Sequence, residues 1–345
     1  MANNNDKKVL NVPDLRFPEF SGEWVETELQ DIVPNICSGK DRISNSGEVA
    51  LYGSTGVIGR TNSASYKENI VLVARVGANA GQMQIGNAPC GVTDNTLVID
   101  AKEWNYYIYY FLQHYNLNRL VFGSGQPLIT GGMLKRIKVR YGCKAERNNI
   151  TRLLCLIDER IATQNKIIEK LESLIKGIAD KLFQTARETK LLLELAPNIT
   201  SGTDKNGSGT IPLYGSTGII GKVKNASQKG NIVLVARVGT IGTVQYVKEP
   251  CGVSDNALIV EAGEMTKYIY HFLKTYKFAH ITSGTTQPLI TASSLKKIAV
   301  PTYDIERQTQ IVLCLNILER KLDIEKQYLS DIAMMKQYLL HQMFI

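Results

Sequence analysis

Hydrophobic residues follow two different patterns along this chain of 345 residues. In residues 10–140 and 190–300, short apolar runs alternate with glycine-rich turns, which predicts modules built mainly of short strands. Nearly every position is apolar in "NIVLVARV" (69–76), so we expect a strand that is buried on both faces. One short helix is expected at "YIYYFLQHY" (107–115). Each module is therefore assigned to the α/β (α+β) class.

The second pattern occupies residues from about 145 to 185 and from 305 to 344, where proline is absent and the one glycine is Gly177. Apolar residues recur there at steps of three and four, which is typical of a coiled coil. They are Ile168, Leu171, Ile175, Ile178 and Leu182, and then Ile311, Leu315, Leu318, Leu322, Leu329, Ile332, Leu339 and Met343, with Glu325 and Lys336 in the same heptad frame. About 40 residues at ~1.5 Å each predict helices roughly 60 Å long.

Most of the sequence occurs twice. "LYGSTGVIGR" (51–60) returns as "LYGSTGIIGK" (213–222), "NIVLVARVG" (69–77) returns unchanged at 231–239, and "PCGVTDNTLVI" (89–99) returns as "PCGVSDNALIV" (250–260). A repeat of this length indicates duplication of a whole module together with its helix. The offset drifts by single residues at about 42–50, 78–80 and 140–145, and we expect surface loops there.

Two long helices that each follow a module pair most simply with each other, in antiparallel orientation. The modules would then lie at the two ends of a dumbbell with an approximate two-fold axis. Duplex DNA has the same symmetry, so such modules would match two inverted half-sites whose spacing the helices set. The alternative is two separate amphipathic helices, each packed on its own module.

Charge and composition narrow the class of protein. The chain has 40 Lys and Arg against 32 Asp and Glu, a net charge of +8, which favours a polyanionic partner. It has no apolar run long enough to span a membrane and no signal peptide at its start, so we expect a cytoplasmic protein without a membrane partner. Six cysteines without C-x-x-C spacing predict reduced, small hydrophobic residues rather than a metal site.

The glycines of "LYGSTGIIGKV" (213–223) look like a phosphate-binding loop, but their spacing does not fit. The Walker motif G-x-x-x-x-G-K-[ST] has four residues between its glycines, whereas five separate Gly215 from Gly221, and Val223 follows Lys222. No methyltransferase motif of the Asp/Asn-Pro-Pro-aromatic type and no metal-binding histidine spacing is present. Asp94 and Asp255 are expected to be turn residues. The sequence therefore predicts no catalytic, cofactor-binding or metal-binding residue.

The order of these motifs resembles the specificity subunit of type I restriction–modification systems. "RFPEFSGEW" lies near the start, and "LYGSTGxIG", "NIVLVARVG", "PCGVxDN", "QPLIT…LKxI" and a long helix follow in duplicate. The resemblance implies target-recognition domains at 1–144 and 188–303, and conserved spacer helices at 145–187 and 304–345. The leads into the helices, "RYGCKAERNNI" and "PTYDIERQTQI", only approximate the family pattern.

The same resemblance implies partners and a role. The chain would be a non-catalytic subunit that reads a bipartite target in double-stranded DNA, with one half-site per domain. Two modification subunits would use S-adenosylmethionine to methylate adenine, and restriction subunits would use ATP and Mg²⁺. The alternative function is a coiled-coil adaptor whose duplicated modules bind protein, and a third hypothesis is an enzyme that uses the glycine-rich loops on nucleotides.

DNA contacts are expected in loops beside the repeated strands, from cations toward phosphates and from amide or planar groups toward bases. The positions at which the two copies differ, together with two glutamines, are predicted to read bases: Lys40, Arg42, Asn79, Gln126, Lys205, Thr240 and Gln287. Phosphate contacts are expected from Arg60, Lys222 and Lys224. Arg75 and Arg237 end an apolar strand and either reach DNA or form an internal ion pair. The default for each is a solvated loop residue, and the similarity of the copies predicts a near-palindromic target.

Overall fold

The computed structural model describes residues 11–121, 127–186, 188–283 and 288–345. Its contacts divide the described chain into two compact units. The first contains the residues up to Gln164 together with Tyr328–Ile345, and the second contains Asn165–Gln327. Both unit boundaries fall inside the long helices, so each unit combines one module with a segment of each helix.

The first unit consists of short strands, short helices and part of the long helices. Its strands are β1 (Val25–Glu28), β2 (Ile36–Ser38), β3 (Val49–Gly53), β4 (Gly56–Thr61), β5 (Ile70–Ala74), β6 (Met83–Gly86), β7 (Cys90–Val92), β8 (Thr96–Ile99) and β9 (Lys138–Tyr141). Its helices are α1 (Leu29–Ile32), α2 (Asn105–Tyr115), α3 (Gly131–Lys135) and the first part of α4 (Lys144–Gln184). The helix expected at 107–115 is confirmed as α2, and the single turns α1 and α3 are additional.

Strand β5 is an inner strand of the four-stranded sheet of the first unit. An antiparallel sheet runs in the order β2-β8-β5-β6, and a three-stranded sheet runs β4-β3-β7 with β3 and β7 parallel. Every residue of β5 is buried. Ile70 and Leu72 pack toward the β3–β7 side, whereas Val71 and Val73 pack toward α2 and the helix ends. The prediction of a strand buried on both faces is therefore confirmed, because successive side chains point to opposite faces.

The second unit repeats this architecture. Its strands are β10 (Glu188–Leu191), β11 (Ile199–Ser201), β12 (Ile211–Gly215), β13 (Gly218–Val223), β14 (Ile232–Ala236), β15 (Val244–Val247), β16 (Gly252–Val253), β17 (Ala257–Val260) and β18 (Ala299–Thr302). Its helices are α5 (Leu192–Leu195), α6 (Thr266–Thr275), α7 (Ala292–Lys296) and part of α8 (Ile305–Met343). The sheet order is β11-β17-β14-β15, with a fully buried β14 in the place of β5.

The long helices follow the heptad frame that the sequence predicts. α4 has 41 residues and α8 has 39, and neither contains proline. Ile311, Leu315, Ile332 and Met343 are buried, and Ile168 is buried on the other helix. The polar members are also shielded, since the side chain of Lys336 is 13% exposed. These apolar contacts stabilise helices that are too long to be held by one module.

Within each unit, the helical segments run antiparallel. In the first unit, Lys336 forms an ion pair with Asp158 at 2.6 Å, and the Arg160 guanidinium lies 5.4 Å from the ring centre of Tyr328. In the second unit, Lys326 contacts Glu172 at 2.6 Å, and Tyr303, just before α8, donates its hydroxyl hydrogen to the Leu182 carbonyl near the end of α4. Residue numbers therefore rise along one helix as they fall along the other, and the mixed α/β class with antiparallel long helices is confirmed.

One of the three expected insertion loops, at 78–80, is confirmed, and the loops expected at 42–50 and 140–145 are partly wrong because strand residues lie within them. Residues 42–48 form an irregular loop before β3, and 78–80 fall in the single turn Gly77–Asn79 and just after it. At 140–145, however, Arg140 and Tyr141 belong to β9, and α4 already begins at Lys144. The strand continues there because Val25 and Tyr141 pair across β1 and β9. No helix in the part of the chain that the structure describes is long and apolar enough to cross a bilayer.

Replacing Phe344 by Ala should cost about 3–5 kcal/mol of the unfolding free energy, because its ring is buried against Tyr107 and Phe111. Denaturant unfolding measures the loss, and hydrogen exchange of the α2 amides should locate it in the first unit. The control is Met334→Ala on the exposed side of α8, which should stay within about 0.5 kcal/mol of the native chain. A loss from Phe344→Ala no larger than that of the control would contradict the role of the ring.

Candidate nucleic-acid interface

The glycine-rich motif forms a β-hairpin rather than a phosphate loop. Strands β3 and β4 pair up to Gly53 and Gly56, with Ser54 and Thr55 as the turn. Gly56 has φ +126°, a conformation that favours glycine. A Cβ on Gly53 would lie 2.9 Å from Cγ2 of Ile58, so the Ile58 side chain occupies the space that glycine leaves. The glycines thus serve a tight turn, and a strand follows them where a Walker loop opens a helix.

A β-bulge in this hairpin exposes two consecutive apolar side chains. The register shifts between Leu51 and Tyr52, and the shift recurs between Leu213 and Tyr214. Val57 and Ile58 are 58% and 46% exposed, and their counterparts Ile219 and Ile220 are 63% and 48% exposed. A bulge redirects side chains because it interrupts the alternation of the strand. Sequence reasoning missed this feature, although the apolar pair before the last glycine occurs in both copies.

The tip of each hairpin is tied to an edge strand by a glutamine. Gln84 Nε2 on β6 donates to the Gly53 carbonyl at 2.7 Å. On β15, Gln245 Nε2 donates to the carbonyls of Gly215 at 2.9 Å and Ser216 at 3.2 Å. These contacts hold the tip against the sheet. Sequence reasoning missed both glutamines, although their occurrence at equivalent positions of the two copies could have indicated them.

Arg75 and Arg237 lie where three segments of their unit meet. The Arg75 amide donates to the Asn95 carbonyl at 2.9 Å, and its own carbonyl accepts from Ile129 at 2.9 Å. Arg237 makes the same backbone bonds with Asn256 and Ile290, both at 3.0 Å. Neither guanidinium forms an ion pair with any residue the structure describes, and the buried Nε of Arg237 has no hydrogen-bond partner among them. Each arginine therefore has a fixed backbone and a charge that the described residues leave uncompensated.

An aspartate anchors the loop that carries the first group of candidates. Asp41 Oδ2 accepts from the Val92 amide at 2.8 Å, and Oδ1 accepts from Ser65 Oγ at 2.6 Å. Asp204 accepts from the Val253 amide at 2.7 Å and from Ser227 Oγ in the same way. These aspartates flank or lie between predicted contacts, and sequence reasoning overlooked them. Their neighbours Lys40, Arg42 and Lys205 are exposed.

The structure brings the anchored loop beside the strand with the predicted phosphate contacts. The Ser44 amide donates to the Arg60 carbonyl at 2.8 Å, and the Gly207 amide donates to the Lys222 carbonyl at 2.9 Å. Arg42 and Arg60 are therefore exposed on neighbouring segments of the first unit, as are Lys205 and Lys222 in the second, and each pair is called the basic strip of its unit. The strip lies toward the base of the hairpin, because Arg60 pairs with Ala50, four residues or about 13 Å from Gly56.

The remaining candidate DNA-contact residues differ in their solvent exposure. Asn79 is half-buried in the turn Gly77–Asn79, whereas Thr240 and Lys224 are exposed. Arg60 is exposed and donates to the Glu48 carbonyl at 2.7 Å. Gln126 and Gln287 lie outside the described residues.

Buried thiols lie beneath the anchored loops. Burial, assisted by the nearby carboxylates of Asp41 and Asp204, raises the pKa of Cys90 and of Cys251 to about 11. Both thiols are therefore protonated near neutral pH and act in packing. The six cysteines form no disulfide, and the described residues contain no group of His, Cys, Asp and Glu that could hold a metal ion.

Replacing Asp41 by Ala should cost about 1–3 kcal/mol, because the Val92 amide and the Ser65 hydroxyl lose their acceptor. Denaturant unfolding gives the free energy, and hydrogen exchange of the Val92 amide reports the loop itself. Asp94→Ala is the control, since its exposed carboxylate forms no hydrogen bond with any described residue. Unchanged exchange at Val92 in Asp41→Ala would show that the aspartate does not anchor the loop.

Comparison with known proteins gives a consistent result. A family model described as the type I restriction modification DNA specificity domain matches residues 21–173 and 192–334. A type I specificity subunit of Mycoplasma genitalium is 24% identical over 99% of this chain and 95% of its own length. The specificity subunit of a type I restriction enzyme from Methanocaldococcus jannaschii is 30% identical over 49% of this chain and 43% of its own length.

Solved structures agree in fold. The S subunit of a type I restriction–modification system from M. genitalium superposes with a TM-score of 0.69 at 19% identity, covering 97% of this chain and 99% of that one. A chain from a study of assembly and conformational transition in a type I system gives a TM-score of 0.55 at 13% identity, over 95% and 98% of the two chains. Since the family model matches both copies of the repeat, the chain belongs to the family of type I restriction–modification specificity subunits.

Proposed function

We propose that this chain recognises a bipartite DNA sequence, with one half-site per module, within a type I restriction–modification complex. As a member of the specificity family it is a DNA-recognition subunit without a catalytic centre. The observation that carries the proposal is the duplicated arrangement of an anchored basic loop, a hairpin and a strand-end arginine. Family membership disfavours the alternative of a protein-binding adaptor.

The proposed domains are 1–144 and 188–303 for recognition, with spacer helices at 145–187 and 304–345. The start of α4 at Lys144 and of α8 at Ile305 supports these bounds. Within each module, we propose that the basic strip binds phosphates, because exposed cations beside one strand follow a backbone better than they discriminate bases. Lys40, Asn79 and Thr240 are proposed to read bases together with Gln126 and Gln287, whereas Arg42 and Lys205, which the sequence predicts to read bases, are now proposed to bind phosphates as members of the basic strip.

Two modification subunits and the restriction subunits are the proposed protein partners. The outer side of α8 supports a helical partner, because large apolar residues remain exposed there at heptad spacing. They are Leu313, Ile317 and Ile324 in the second unit, and Met334 and Tyr338 in the first. We propose that the modification subunits use S-adenosylmethionine, that the restriction subunits use ATP and Mg²⁺, and that the complex acts in the cytoplasm.

DNA binding by the complex with its modification subunits should weaken steeply with salt, because bound phosphates release counterions. Lys222→Gln and Lys224→Gln should each reduce the slope of log K against log salt by about 1, without changing the preferred sequence. Lys190→Gln is the matched control, since Lys190 is exposed on β10, which pairs with β18 in a sheet separate from the hairpin. A native complex without a steep salt slope would favour the adaptor instead.

The mapped target should be nearly palindromic, with a methylated adenine on opposite strands of its two halves. The reason is that the two modules share their sheet order, hairpin, bulge and anchoring aspartate, and so present similar surfaces. Sequencing of methylated adenines in cells that carry this chain and its modification subunit provides the measurement. Two unrelated half-sites would show that the two modules bind different sequences. The loops that differ between the two copies would then determine the specificity.

A further inference from the structure

We propose that the bulged hairpin tip of each module is an apolar wedge that enters the DNA duplex at a base step. The residues concerned are Val57 and Ile58 in the first unit, and Ile219 and Ile220 in the second. This proposal rests on the proposed function, because it assigns a further role to the same DNA-binding surface. It adds a distortion of the duplex to the phosphate and base contacts described above.

Because of the bulge, the two consecutive apolar side chains of each hairpin are both exposed to solvent. In a regular strand, one of two successive residues would turn toward the second sheet, but the shift between Leu51 and Tyr52 prevents this. The same shift, with the same exposure, occurs in the second unit. Exposure of consecutive β-branched residues is unfavourable in water unless a partner covers them. Its presence in both copies indicates a shared requirement.

The tip is rigid enough to act as a wedge. Ile58 packs against Gly53, and a Cβ added to that glycine would lie 2.9 Å from Cγ2 of Ile58. Ile220 packs against Gly215 in the same way, since a Cβ added to Gly215 would lie 2.9 Å from Cδ1 of Ile220. The hydrogen bonds from Gln84 and Gln245 hold the turn from the other side. A wedge must keep its conformation when it contacts the duplex, and a turn whose backbone is hydrogen-bonded and whose isoleucine packs on its glycine meets that condition.

Charge identifies DNA as the occupant of this surface. Exposed cations lie toward the base of each hairpin, namely Arg42 and Arg60 in the first unit and Lys205 and Lys222 in the second. An apolar tip with cations toward its base matches a duplex, which has phosphates on its outside and apolar stacked bases within. A wedge has a clear use here, since adenine methylation requires the base to leave the stack, and an opened step lowers the cost of that movement.

The experiment uses the complex of the full chain with its modification subunits. The probes are short duplexes of the mapped sequence in which one adenine at a time is replaced by 2-aminopurine, whose fluorescence rises on unstacking. The variant combines Val57→Thr, which nearly keeps side-chain volume, with Ile219→Thr, which also removes the terminal methyl group. Val25→Thr is the matched control, because Val25 is 56% exposed on β1, which pairs with β9 in another sheet.

The native complex and the control should raise the fluorescence at one step of each half-site. The double variant should lose at least half of that rise and bind roughly ten-fold more weakly. Its salt slope should be unchanged, because no charge is removed. An unaltered thermal midpoint shows that the variant folds, as expected for side chains that are more than half exposed.

Three results would overturn the wedge while leaving DNA recognition intact. The first is unchanged fluorescence and affinity in the double variant. The second is loss of the modification subunits from the variant complex, which would make the tip a protein contact. The third is a native complex whose binding falls when a thymine is replaced by uracil and whose fluorescence never rises, which would indicate contact with a methyl group. A native complex with no salt-dependent DNA binding would overturn both proposals.

Discussion

Burial of both faces of the central strand is the constraint on which each unit depends. β5 and β14 consist of apolar residues throughout, so neither face can be left in water. In the first unit, the sheet formed by β3, β4 and β7 covers one face, and α2 with the ends of the long helices covers the other. Arg75 directly follows this strand, and Arg237 follows its counterpart in the second unit. The position of each strand-end arginine therefore follows from how the core is closed.

The long helices contribute to the module cores as well as to their own pairing. Phe183, near the end of α4, packs against Tyr268 and Phe272 of the second module. Phe344 packs in the same way against Tyr107 and Phe111 of the first. An aromatic ring at the end of a helix thus completes each core. For this reason the stability of a recognition module cannot be separated from that of the helices.

Duplication kept these apolar contacts and changed the polar ones around them. In the first unit, Tyr110 donates to Asp158 at 2.8 Å, and Lys336 compensates that carboxylate. At the equivalent place in the second unit, His271 lies 3.0 Å from Asn316, and burial lowers the pKa of its imidazole. A close-packed apolar core tolerates changes of side-chain volume poorly, so its residues stay alike in the two copies. A buried polar group needs only a hydrogen-bond partner, which can be of a different type in each copy. The modules therefore share a fold without sharing every interaction.

The sequence by itself determined the duplication, the buried strands, the helix at 107–115 and the heptad frame of the long helices. The duplication is visible as recurring sequence, and the strands and helices depend on the pattern of apolar residues, which is a local property of the chain. It also excluded a Walker loop, since the spacing of Gly215, Gly221 and Lys222 can be read directly. The extent of β9 was missed because its pairing with β1 joins residues far apart in sequence.

Only the tertiary structure decided which candidates share a surface. The bulge that exposes Val57 and Ile58 depends on cross-strand register, and the acceptor role of Asp41 depends on Val92, 51 residues away. Neither register nor a long-range hydrogen bond has a local signature, because the residues that make it are chosen by the fold. The sequence therefore identified the duplicated modules, and the fold showed how the anchored loop and the edge strand are each hydrogen-bonded to the hairpin within a module.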